Sequence, residues 1–148
     1  MKNILVPVDF SDLSLDLIDM AAKLAIAFKS KIRIVHVAST QPYIAGMEIG
    51  NEVIYDHTAE ETERMEADLK ALELYLSEKG IEADSVLLHG KIVNSIVEQS
   101  EKTDADLIVI GSNNYGILYR TLLGSVSEGV LHKTSCPVLI CSDPSRNQ

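Results

Sequence analysis

The stretch GSNNYGILYRTLLGS, residues 111–125, carries three glycines in fifteen residues and follows directly on the apolar run DLIVI. Glycine reaches positive φ at little cost and lets a backbone approach a ligand closely. Gly124 and Ser125 stand where a helix becomes legible, at the head of SVSEGVLHKT. Backbone N–H groups at a helix start carry partial positive charge and hold phosphate without help from a buried lysine. The Ser125 hydroxyl adds a donor. Asn113 and Asn114 bring amide donors that can contact an anion, and Asn tolerates the left-handed region better than other side chains. The chemistry on offer is recognition of a phosphate group. The competing reading is that NNYG is only a turn, and no Walker-type G-x-x-x-x-G-K-[ST] is present.

Such a loop needs a strand before it and a helix after it. KNILVPVDF (2–10) reads as a first strand, and Ser11 or Asp12 is placed to cap a helix running to about Lys29. Leu17, Ala21, Leu24, Ala25 and Phe28 form the apolar stripe of that helix. KIRIVHVAS (31–39) is nearly continuous in apolar residues, as a strand covered on both faces requires. Residues 40–57 show no period, and a connection of that length is often functional. Thr58 with Glu61 forms a capping-box pattern ahead of a helix whose stripe is Met65, Leu69, Leu72 and Leu76, with Gly80 as its stop. ADSVLLHG (83–90), ADLIVIG (105–111) and 137–141 read as further strands. A short helix with Ile92, Val93, Ile96 and Val97 inward, and a last helix over 125–134, lie between them. Alternation of this kind predicts an α/β domain around a parallel sheet, with ligands beyond the carboxyl ends of the strands.

The 148 residues fit one domain, 1–148, with 46% apolar and 24% charged residues. A formal net charge of −9 argues against sequence-independent binding to nucleic acid or to an anionic membrane, so neither is expected as a partner. Pro7 and Asp9 interrupt the first apolar run too early for a signal peptide, and a cytoplasmic location is expected. Cys136 and Cys141 should point to opposite faces of a strand and form no disulfide. His36, His57, His89 and His132 do not cluster in sequence, so no intrinsic metal site is expected.

Taken together, ILVPVDFS, the HV that closes strand two, Gly90, DLIVIGS and LLGSVSEGVLHKTSCPVLI resemble the universal stress protein family over almost the whole chain. The resemblance implies an open five-stranded parallel sheet in the order 3-2-1-4-5 with helices on both faces, a Rossmann-like α/β fold. It implies a homodimer paired through the edge strand 137–141, acting in the stress response through protein partners that the sequence does not identify. It also implies ATP or a related adenine nucleotide as ligand, with or without Mg²⁺. The nucleotide-binding members carry Gly, two residues, Gly, nine residues, Gly and then Ser or Thr. Gly111, Gly124 and Ser125 match that pattern, but Asn114 replaces the middle glycine and Gly116 comes two residues late. By the same resemblance Asp9 bonds the ribose, Val37 meets adenine through its backbone, Pro7 and Val8 wall the base, and Val126 extends the phosphate cradle. The competing role of Asp9 is a helix cap, and that of Val126 is core packing. Three readings follow: a nucleotide-binding dimer, an interaction domain of the same fold without nucleotide, and a slow ATPase, for which Asp9 is the only acid near the site.

Overall fold

Runs of β-branched and aliphatic residues alternate with amphipathic segments. In the computed structural model, which describes residues 1–40, 43–44, 47–48, 56–112 and 124–142, each run becomes a strand and each amphipathic segment a helix. The elements are β1 (Asn3–Pro7), α1 (Leu13–Phe28), β2 (Lys31–Ser39), β3 (Tyr43–Ile44), β4 (Met47–Glu48) and α2 (Ala59–Glu78). Then come β5 (Ala83–Gly90), α3 (Ile92–Lys102), β6 (Leu107–Gly111), α4 (Ser125–Lys133) and β7 (Val138–Cys141). Five strands form one sheet in the order β5-β2-β1-β6-β7, and every neighbouring pair is parallel. Counting those five along the chain, the order is 3-2-1-4-5, as the resemblance implied.

Side chains alternate between the two faces of each strand. Ile4, Val6, Ile32, Ile34 and Val109 enter one cluster with Leu17, Ile18, Leu69 and Leu76 of α1 and α2. Leu5, Val35, Val37, Ile108 and Ile110 enter the other with Ile96 of α3 and Val130 of α4. Both faces are therefore covered by helices. Each such side chain stabilises the fold by roughly 1.5–3 kcal/mol through burial. Cys136 packs with the second cluster and Cys141 with the first, so the two thiols do face opposite ways, and both are free.

α2 starts as its sequence predicts. Thr58 accepts a hydrogen bond from the Glu61 N–H at 3.1 Å, and the Glu61 carboxylate accepts from the Thr58 N–H at 3.1 Å. α1 differs from expectation at both ends. Asp12 occupies the N-cap position but makes no side-chain capping bond. Phe28, expected on the inner stripe, is 55% exposed, while Leu13, Ile18 and Ala22 are buried. The buried face has drifted around the helix, because 3.6 residues per turn does not keep an i, i+4, i+8 series on one line. The 40–57 connection, read as having no regular structure, contains the short antiparallel ladder of β3 and β4.

At the amino end of the sheet Arg33 of β2 faces Asp84 of β5 in register. Nε and Nη2 of Arg33 donate to the two Asp84 oxygens at 2.7 Å each. The Arg33 guanidinium holds the Asp84 carboxyl below its ordinary value. A depressed folded pKa contributes stability that is present above the unfolded value, about 3.9, and is lost as pH falls through the folded one. Because the pair is largely open to solvent, Asp84→Asn should cost at most about 1 kcal/mol at pH 7. That difference should shrink as the pH falls below about 3.9, as urea unfolding across pH would measure.

Candidate functional site

The chain order reverses between β1 and β6, which leave the centre of the sheet side by side. This is the switch point where sheets of this kind bind ligands. Pro7 ends β1, and Val8 continues for one residue, its N–H donating to the Val35 oxygen at 2.8 Å. Two residues further along β2, alternation turns the Val37 N–H and C=O to the same side as those of Val35. β1 has ended there, so the Val37 backbone looks past its end, while its side chain is buried under α3 and α4.

Asp9 is exposed and starts a turn. Its Oδ1 accepts from the Ser11 N–H at 2.9 Å and from the Ser14 hydroxyl at 3.2 Å. Asp9 is thus a side chain that ties down the entry to α1, where Asp12 makes no capping bond. The turn is made by Phe10 in the left-handed region at φ 60, and its ring lies 4.3 Å from that of His36. His36 Nδ1 lies 2.7 Å from the Val8 oxygen, and a carbonyl only accepts, so Nδ1 carries the proton. Burial pushes the His36 pKa down and favours the neutral ring. Val8 therefore has both backbone groups engaged, and its side chain is buried in the cluster formed with α1 and α2.

Neither Gly111 nor Gly124 is in the positive-φ region, so the conformational freedom expected of them is not what their backbone uses. Gly111 is needed for space: a Cβ there would lie 2.8 Å from Leu13 Cδ2 and 3.3 Å from Leu17 Cδ1 of α1. Gly124 has φ −71 and ψ 161, an extended conformation open to any residue, and is the N-cap of α4. Having no side chain, it leaves the helix start without a side-chain cap. The Ser127 hydroxyl instead donates to the Gly124 oxygen at 2.9 Å. Ser125 is exposed, and Val126 packs its side chain with the α3/α4 cluster while its backbone stays in the first turn. Asn113 and Asn114 lie outside the described residues.

One residue at this edge escaped sequence reasoning. Ser112, directly after β6, is 1% exposed, and its N–H donates to the Cys141 oxygen at 2.9 Å. Its Oγ is buried and has no hydrogen-bond partner among the described residues. Leaving a hydroxyl in that state costs about 1–3 kcal/mol. The only sequence signal was a polar residue ending an apolar strand.

His57 and His89 meet at the neighbouring corner, their rings 6.5 Å apart. His57 Nε2 is 2.9 Å from the Ser39 oxygen and Nδ1 is 3.3 Å from Glu61. Among the described residues no three His, Cys, Asp or Glu side chains are grouped to hold a metal ion, and no helix is long and apolar enough to cross a membrane. A recess of about 350 Å³ opens at the opposite, amino end of the sheet. Its charges are largely neutralised in pairs, Lys31 with Glu82 at 2.8 Å and Arg33 with Asp84.

The family model described as the universal stress protein family matches residues 1–142. A universal stress protein of Methanocaldococcus jannaschii is 34% identical over 146 residues, spanning 98% of this chain and 84% of the relative. Among solved structures, a universal stress protein in complex with cAMP superimposes with a TM-score of 0.70 at 25% identity, covering 95% of this chain and 96% of the other. The universal stress protein from Archaeoglobus fulgidus in complex with dAMP gives a TM-score of 0.69 at 24% identity, covering 95% and 97%.

Proposed function

The chain belongs to the universal stress protein family, and on that premise we propose that it is a cytoplasmic module that binds an adenine nucleotide at the switch point of its sheet. The observation that carries this reading is the start of α4: a helix whose N-cap is a glycine, with no side-chain cap among the described residues, and whose first turn packs through Val126 on the sheet face that carries Ile110. A phosphate is the group that such a start lacks. Ligands named for two structural relatives, cAMP and dAMP, share adenine and a single phosphate. That points to recognition of the base and one phosphate.

In this reading Pro7 and Val8 wall the base, and the Val37 backbone bonds its edge. Asp9 meets the ribose. Its tie to Ser11 and Ser14 orients the carboxylate for that contact. Gly111 lets α1 close on the end of β6, and Gly124, Ser125 and Val126 present N–H groups to phosphate, with Asn113 and Asn114 as amide donors. Mg²⁺ would accompany a triphosphate as part of the ligand. Among the described residues no group here is set up as a strong general base, since one oxygen of Asp9 already accepts two hydrogen bonds. We assign the module a binding role, exerted on protein partners as a dimer joined through β7. The second reading, an interaction domain without nucleotide, is favoured by Asn114 where the family pattern has glycine.

The test is to denature protein purified without added nucleotide and to analyse the supernatant by mass spectrometry. The reading predicts an adenine nucleotide approaching one per chain. An empty supernatant, followed by a silent calorimetric titration with ATP and Mg²⁺, would overturn it in favour of the second reading.

A further inference from the structure

We propose that the Ser112 hydroxyl is a ligand group of the nucleotide site, donating a hydrogen bond to the phosphate held at the start of α4. The inference rests on the nucleotide reading and adds to it a residue that the family pattern did not point to. Strand alternation sets its direction. A side chain at Gly111 would run into Leu13 and Leu17 of α1. Ser112 keeps the ladder through its N–H bond to Cys141, so it takes the opposite face. That is the face of Ile110, where α3 and α4 pack with Val126 and Val130.

Two independent features therefore lie on the same face of the sheet. One is a helix start with no side-chain cap. The other is a hydroxyl, 1% exposed, with no partner among the described residues. A phosphate oxygen satisfies both. The hydroxyl donates to the anion, which also accepts from the helix N–H groups. A merely structural serine would be tied to a protein group, as Ser127 is tied to the Gly124 oxygen.

The test compares wild type with Ser112→Ala by calorimetric titration with AMP and with adenosine, alongside thermal unfolding of the unliganded protein. Ser112→Ala should bind AMP about five- to tenfold more weakly, bind adenosine as wild type does, and unfold at the same temperature or higher. Equal AMP affinity in the two proteins would overturn the proposal and leave the nucleotide reading standing. A lower unfolding temperature with equal losses for AMP and adenosine would overturn it as well, by making Ser112 structural. Failure of wild type to bind either ligand, or ATP, would sink the nucleotide reading and the proposal with it.

Discussion

Gly124→Asp should weaken binding of ATP or AMP at least thirtyfold, about 2 kcal/mol, while leaving the unliganded protein as stable as wild type or slightly more so. The backbone at Gly124, φ −71 and ψ 161, suits aspartate without strain. Asp is among the best N-cap residues and Gly a weaker one, so the substitution should stabilise the start of α4 by a few tenths of a kcal/mol. The same carboxylate takes the position that a phosphate would occupy and repels it. Gain of the cap and loss of the ligand are thus one event. Calorimetric titration combined with thermal unfolding reads both. Undiminished affinity in a stable Gly124→Asp protein would remove the start of α4 from the site. Gly124→Val serves as the uncharged comparison, blocking approach by bulk alone.

The second large effect concerns the sheet edge. β7 pairs only with β6 among the described residues, and its four residues Val138–Cys141 are all apolar and half-buried. Pro137 and Cys141 turn their carbonyls to β6, accepting from Ile108 and Ser112 at 2.9 Å each. Alternation then turns the backbone groups of Val138 and Ile140 outward, forming an open edge with no charge to blunt it. A second copy of the chain is the partner we propose for that edge. Ile140→Pro removes the outward N–H, and proline is tolerated where that group faces away from the sheet. Ile140→Ala removes the same packing against the α3/α4 cluster and keeps the N–H. At concentrations where wild type and Ile140→Ala sediment as dimers, Ile140→Pro should sediment as a folded monomer. A persistent dimer would place the interface elsewhere. A charge at Leu139 tests this poorly, because Leu139 packs on the α1/α2 core and its loss would disturb the fold itself.

Much of the fold was legible because it rests on local signals. Apolar runs bounded by Pro, Gly and Asp became β1, β2, β5, β6 and β7 with ends shifted by a few residues at most. The Thr58–Glu61 box was readable because both partners lie within one turn. Strand order was not readable from composition or periodicity, since pairing β1 between β2 and β6 joins segments about a hundred residues apart. It came from the resemblance. At the site, the loop and the start of α4 were visible in their glycines, but the reason for those glycines was not. Gly111 answers to Leu13 and Leu17, which only packing brings near. Asp9 was seen as a possible cap, yet its grip on Ser11 and Ser14 depends on Phe10 adopting a left-handed turn that few non-glycine residues take. Ser112 left only a faint mark, a polar residue ending an apolar strand, because an unpaired buried hydroxyl is a property of its surroundings.

An adenine nucleotide bound across the switch point should be seen when ATP is titrated into isotope-labelled protein and the backbone amide resonances are followed. Saturable shifts are expected at Val8, Asp9, Val37, Ser112, Gly124, Ser125 and Val126, with Lys31, Arg33 and Lys102 at the far end of the sheet unmoved. Shifts confined to that far end, or no saturable shift anywhere, would contradict it.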